Sequence, residues 1–185
     1  ILDLPEYRRT WYAETWHEVE SLVFLSEKRN AVITEIAKHL IDRNLIPILI
    51  LVRRIEQGRQ LERMLREYNI DVAFLYGAIP MSTRETIIGL AEHLRIQVLI
   101  ATQLADEGFD LPPLRALILT SGGKSSTRAL QRVGRVVRPI DPNRYPEAAA
   151  LGPKKVGVVI DIADNAKWLL EHAKRREDLY RTEEA

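Results

Sequence analysis

The chain has 185 residues, with 27 Lys or Arg against 26 Asp or Glu, for a formal charge of +1. That balance excludes a histone-like polycation and an acidic disordered tail, and 46% hydrophobic with 29% charged residues is an ordinary globular composition, large enough for one well-cored domain. With no cysteine, disulfide staples and thiolate metal sites are excluded, and the longest apolar run, Ile48–Val52, is far shorter than the roughly 20 residues a membrane span needs.

The N-terminus, Ile1-Leu2-Asp3-Leu4-Pro5-Glu6, has neither the basic start nor the apolar stretch of a signal peptide. It also lacks an initiator Met, so an excised or processed product is the expectation. Residues 6–27 are acidic on balance and carry Trp11, Tyr12 and Trp16. They read as a connecting segment or helix that docks on something, a neighbouring domain among the candidates. Residues 28–43 form the first helical pattern, with Val32, Ile36, Leu40 and Ile41 on one stripe.

From there strand and helix alternate. Short apolar runs at 48–52, 72–76, 98–101, 116–119 and 156–160 read as buried parallel strands. Helical patterns at 56–68 (Leu61, Met64, Leu65, Tyr68) and 83–94 (Ile87, Leu90, Leu94) separate them, and one at 165–180 closes the chain. Residues 139–155 contain four prolines and read as a loop with little structure of its own. The pattern predicts an α/β domain over residues 28–185, preceded by a connecting segment over 1–27. Its parallel sheet has about five to six strands, helices on both faces and right-handed crossovers.

The near-zero net charge hides an uneven distribution. Of the basic residues 20 are Arg and 7 are Lys, and Arg suits bidentate phosphate contact. Residues 111–155 hold nine basic and two acidic side chains, a local +7, against −6 for the remainder. Such a patch points to a polyanion bound at one place. A helix from about Ser126 to Arg138, capped by Ser125, Ser126 or Thr127 and stopped by Pro139, sharpens this. At about 100° per residue, Gln131, Arg128, Arg135 and Arg138 share one face, and Ala129, Val133, Val136 and Val137 share the other. No acid relieves the arginine face, so an external anion is expected there, although a solvated surface would show the same amphipathicity.

Gln131-Arg132-Val133-Gly134-Arg135-Val136-Val137-Arg138 resembles motif VI of superfamily 2 helicases. Upstream, Thr102-Gln103-Leu104-Ala105-Asp106-Glu107-Gly108-Phe109-Asp110-Leu111-Pro112 resembles motif V, and Ile50-Leu51-Val52-Arg53 resembles motif IV. Tyr76-Gly77, with Arg84 seven residues beyond the glycine, resembles the intervening element. Order and spacing match the second, C-terminal RecA-like domain of these motors over roughly residues 45–165, and the wording is closest to the DNA-repair and restriction-type group.

The resemblance implies a RecA-like, P-loop NTPase-like fold and a set of roles. Arg135 and Arg138 would be arginine fingers on the γ-phosphate of ATP, and Gln131 would couple the ATP site to the first domain. Asp110 would bind the ribose beside Gly108, which leaves room for the nucleotide. Thr102, Arg84 and Arg53 would contact nucleic-acid phosphates. ATP and Mg2+ would be held mainly by a first RecA-like domain, the implied partner in the same polypeptide. The chain has neither a Walker A motif nor a D-E-x-[DH] box, so it is expected to carry at most half of an ATPase site and to be inactive alone. Gly122-Gly123-Lys124-Ser125-Ser126 lacks the Walker spacing.

The same residues admit plainer readings. Asp110 could be a turn residue, Thr102 a cap, and Arg53 and Arg84 surface pairs for Glu56 and Glu85. The four histidines show no metal-ligand spacing and read as surface or half-buried. The expected activity is that of an intracellular ATP-dependent DNA helicase or translocase. An RNA helicase of the same superfamily, or a degenerate nucleic-acid-binding scaffold, are the alternatives. Met81, where RNA-helicase relatives usually carry Gln, leans toward DNA.

Overall fold

The computed structural model describes residues 1–102, 110–120, 139–154 and 156–183. The chain opens with a 3-10 helix, Pro5–Tyr12, followed by α1 (Trp16–Phe24) and α2 (Glu27–Asp42). Then come β1 (Ile48–Val52), α3 (Ile55–Glu67), β2 (Val72–Leu75), α4 (Met81–Glu92), β3 (Val98–Thr102) and β4 (Ala116–Leu119). A short α5 (Pro146–Ala150), β5 (Val158–Asp161) and α6 (Leu169–Glu183) complete the described elements.

The five strands form one parallel sheet in the order β2-β3-β1-β4-β5. Alternate residues of each strand enter opposite cores. Ile48, Ile50 and Val52 face Ile33, Ala37, Leu61 and Leu65 of α2 and α3, while Leu49 and Leu51 face Ala91, Ile87 and Ile88 of α4. Burial on both faces is why the strands read as continuous apolar runs. The path from β1 to β2 and the path from β2 back to β3 run in opposite directions along the sheet. Crossovers of one hand must then lie on opposite faces, as α3 and α4 do.

Local chemistry sets the helix ends. Thr15 and Glu18 make a reciprocal capping box at the start of α1, and Ser26 Oγ accepts from Arg29 N at the start of α2. α2, α3 and α4 each end on a left-handed residue, Asn44, Asn69 and Leu94, closed by a bond from the next N–H back over the last turn. These are Schellman closures.

Three readings of the sequence need correction. The buried stripe of α2 runs through Arg29, Ile33, Ala37 and Leu40, and Val32 is exposed. Of the expected stripe, Leu40 is buried and Ile36 and Ile41 pack against the same core, so Val32 alone is misplaced; the buried polar residues Arg29, Asn30 and Thr34 carry no apolar signal. Residues 139–154 are anchored, not loosely structured: they contain α5, Tyr145 and Ala148 are buried, and Arg115 Nη2 donates to Ala148 O and Gly152 O at 2.8 and 2.6 Å. Residues 6–27 pack on this chain itself. Tyr7, Val19, Val23 and Phe24 form a third core with Ala166 and Leu169.

The N-terminal segment also bridges to the chain just beyond β5. Leu2 N donates to Ala163 O at 2.7 Å and Asn165 N donates to Leu2 O at 2.8 Å. Val158 and Ile162 donate inward to Arg115 O and Leu119 O, so by strand alternation Ala163 and Asn165 point outward. Leu2 therefore forms an isolated parallel bridge with Asp164, just beyond the end of β5.

Candidate functional site

Ligands of open parallel sheets gather outside the carboxyl ends of the strands. Arg53 follows β1, Thr102 ends β3 and Tyr76-Gly77 follows β2, three strands that are neighbours in the sheet. The register pairs Val52 with Thr102 and Leu75 with Ala101, so these positions lie at one level. The structure thus brings Arg53, Thr102 and the 76–79 turn, to which Arg84 of α4 bonds, onto one edge.

Their environments differ. Thr102 is 6% exposed, and its Oγ1 has no hydrogen-bond partner among the described residues. A buried hydroxyl without a partner is uncommon and invites a ligand explanation. Arg84 is half-buried and folded back on the 76–79 turn: Nε donates to Ile79 O at 3.2 Å, and Nη2 donates to Gly77 O and Tyr76 O at 3.2 and 3.4 Å. Its partners are carbonyls, not Glu85. At Gly77, neither a positive φ nor a neighbouring atom requires the missing side chain, so open space lies against this turn.

Arg53 is paired with Glu20 of α1, not with Glu56, and its guanidinium lies 5.7 Å from the Trp16 ring centroid. The next residue, Arg54, also belongs to α1. Its Nε sits 3.7 Å from Glu20 Oε2, its Nη2 is 2.8 Å from His17 Nδ1, and its Nη1 donates to Ser21 Oγ. Sequence reading missed Glu20, because partners 33 residues apart on separate elements leave no local spacing signal.

Asp110 is exposed and stands at the head of a turn anchored by buried Leu111 and Leu114, with Leu114 N donating to Leu111 O. Lys154 Nζ donates to Pro112 O at 2.8 Å in the same turn, and burial pushes its ammonium down to about 8. Burial, with the Glu92 carboxylate next, raises the Tyr145 hydroxyl, and Asp110 adds to that effect.

Of the nine basic residues at 111–155, three are among the described residues: Arg115, Arg144 and Lys154. Arg115 is 5% exposed and spent on carbonyls, and burial lowers its proton affinity. Lys154 is half-buried, and Arg144 is exposed over the Tyr145 ring. Gln131, Arg135, Arg138 and Gly108 lie outside the described residues, as do the helix expected at 126–138 and the Gly122–Ser126 stretch. His17, His39 and His93 are exposed and His172 is half-buried. Among the described residues no cluster of His, Asp or Glu fits a metal ion, and no helix is long and apolar enough to cross a membrane.

Comparison with known proteins agrees with this fold. The helicase conserved C-terminal domain family matches residues 20–139. A candidate helicase (number 22) of the Sulfolobus islandicus filamentous virus is 32% identical over 133 residues, covering 72% of this chain and 22% of that protein. The ATP-dependent RNA helicase dbp8 of Aspergillus oryzae is 28% identical, covering 68% of this chain and 28% of that one. A candidate DNA 3'-5' helicase, Rad25, of Halobacterium salinarum is 32% identical over 55% of this chain and 16% of its own length. Each of these relatives is thus several times longer than the region matched. Among solved structures, T4 UvsW superposes with a TM-score of 0.72 at 22% identity, over 98% of this chain and 38% of that one. The chain belongs to the helicase conserved C-terminal domain family, as a C-terminal RecA-like domain of a superfamily 2 helicase.

Proposed function

We propose that this domain is the C-terminal motor half of an ATP-dependent helicase or translocase that moves on DNA. The observation that carries the nucleic-acid role is the shared edge, where the Thr102 hydroxyl, without a partner among the described residues, Arg53 and the 76–79 turn held by Arg84 sit at the ends of adjacent strands. Thr102 Oγ1 and the Arg53 guanidinium donate to backbone phosphates, contacts that position a strand without reading its sequence. Arg84 acts by holding the 76–79 turn in place, since three carbonyls engage its guanidinium. DNA is favoured by Met81, 68% exposed at the start of α4 and unable to offer a polar contact to a 2'-hydroxyl. The RNA helicase among the relatives keeps RNA as the second reading.

ATP is the substrate of the motor, bound between this domain and a first RecA-like domain. Arg135 and Arg138 neutralise charge on the transferring phosphoryl group, Gln131 couples the site to the first domain, and Asp110 holds the ribose beside Gly108. Mg2+ would be held mainly by the first RecA-like domain. In the intact polypeptide, Arg135→Ala is expected to lower ATP turnover by about a thousandfold with little loss of nucleotide binding. Turnover that survived would remove the finger assignment. Stimulation of that ATPase by duplex DNA and not by single-stranded RNA is the expected outcome, and the reverse would establish the second reading. The 185-residue chain alone is expected to hydrolyse no ATP.

A further inference from the structure

Arg53 is usable as a phosphate ligand only if its guanidinium is aimed outward, and the β1–α3 connection does not aim it. The aiming comes from α1. Glu20 is buried, with a side chain 9% exposed, and its carboxylate forms an ion pair with Arg53 whose nearest atoms are Oε1 and Nε, with no hydrogen bond to Oε1 among the described residues. Neither Nη of Arg53 makes a hydrogen bond among the described residues, and the side chain is 37% exposed. Trp16, one turn earlier on α1, lies against the guanidinium. Arg54, by contrast, is filled by Glu20, His17 and Ser21, so it ties α1 to the connection and has little left to offer a ligand. α1 is in turn fixed by its capping box and by burial of Val19 and Val23.

We propose that Glu20 is a positioning residue for nucleic-acid binding: with Trp16 beneath, its carboxylate holds the Arg53 guanidinium by their ion pair so that both Nη groups are presented together to one phosphate. This rests on the reading of Arg53 as a phosphate ligand. The arrangement exploits what distinguishes Arg from Lys, a rigid planar fork whose unused side stays preorganised when the other is held. A carboxylate beside a phosphate site costs Coulomb repulsion, and that effect has the opposite sign, which makes the proposal decidable.

The test is fluorescence anisotropy of the 185-residue chain with a labelled 20-nucleotide single-stranded DNA across a salt series, with thermal unfolding of each variant as the folding control. Arg53→Ala is expected to weaken binding about tenfold, the size of one lost charge-assisted hydrogen bond, and to reduce the salt slope by about one. Glu20→Ala is expected to weaken it about threefold in wild type and not at all in the Arg53→Ala background, the signature of one residue acting through another. Glu20→Gln, which removes the charge of the ion pair, is expected to weaken binding about as much as Glu20→Ala. Arg53→Lys keeps the charge but not the fork and binds about as weakly as Arg53→Ala; it perturbs no buried group, so it decides the matter even if Glu20→Ala fails to fold. Tighter or unchanged binding by Glu20→Ala, an equal loss in the Arg53→Ala background, or wild-type binding by Arg53→Lys would each overturn the positioning role. No effect of Arg53→Ala would instead overturn the reading of Arg53 itself.

Discussion

Arg29 enters the interior whole. Its Nε and Nη2 donate to the two carboxylate oxygens of Asp164 at 2.8 Å each, Nη2 also donates to Thr120 O at 2.6 Å, and the Phe24 ring lies beneath at 5.1 Å. Tyr7 donates its hydroxyl to the same carboxylate at 2.7 Å, and burial, reinforced by that carboxylate, raises the hydroxyl far above its ordinary value. Both side chains of the ion pair are fully inaccessible. Removing one partner of such a pair leaves a bare buried charge, so Arg29→Ala is expected to cost about 3–5 kcal/mol in urea unfolding. Replacing both, as Arg29→Met with Asp164→Leu, is expected to recover most of that loss, because the pair's desolvation is removed with its attraction. A double variant as unstable as the single one would mean the pair contributes net stability. Lys154 gives the pH-dependent counterpart. The unfolded chain keeps this proton to about 10.5, while the folded chain releases it at about 8 because of burial. Below about 8 both states hold the proton and the buried ammonium opposes folding in full. Between the two values the folded state has shed it and the opposition fades as pH rises. Lys154→Met should therefore gain most relative to wild type at pH 7 and least at pH 10; a difference independent of pH would refute the shift.

At the scale of elements, α3 meets β2 through a glycine. A Cβ at Gly58 would fall inside the Phe74 ring, which itself packs against Tyr76 at 5.0 Å between centroids. Gly58→Ala would improve helix propensity on an exposed helix by about 1 kcal/mol. Here it is expected to destabilise by about 1–3 kcal/mol, since the ring must leave a packed core; a rise in the unfolding midpoint would show that α3 shifts freely. This is also the scale at which the sequence was most legible. The strand at 48–52 and the one at 116–119 stand where apolar runs placed them, because residues buried on both faces leave an unbroken signature. Helix starts were legible to within two residues for α2, α3 and α4. What failed was anything that depends on a distant partner. Arg115 counts as +1 in any composition and yet serves two carbonyls more than 30 residues away. Glu20 and Arg53 carry no shared periodicity. Arg53, Thr102 and the Tyr76-Gly77 turn lie at the carboxyl ends of neighbouring strands, whereas Arg135, Arg138, Gln131 and Gly108 stand on resemblance to the family.

At the scale of the whole molecule, the open question is where the domain starts. Read from composition, residues 1–27 are a connector. In the fold they supply Tyr7, Val19, Val23 and Phe24 to a core shared with Ala166 and Leu169, a bridge partner for Asp164, and the Glu20 contact to the β1–α3 connection. Lys167 donates from Nζ to Ala13 O at 2.6 Å and from its backbone N to Thr10 Oγ1 at 3.0 Å, so the two chain ends are stitched at several points. The UvsW superposition extends over 98% of this chain, which takes in this segment. We therefore expect a chain beginning at Ser26 to unfold well below the 185-residue chain. Deletion exposes the buried Asp164–Arg29 pair, removes the Tyr7 hydroxyl from it and strips four large apolar side chains from the third core. A loss of about 3 kcal/mol corresponds to roughly 6–12 °C for a domain of this size. Differential scanning calorimetry of the two chains measures it directly. An unchanged midpoint would make residues 1–25 a connector after all. One cooperative transition for the longer chain, lowered in the shorter, would place the start of the folding unit ahead of the 3-10 helix, and with it the support on which α1 holds Arg53.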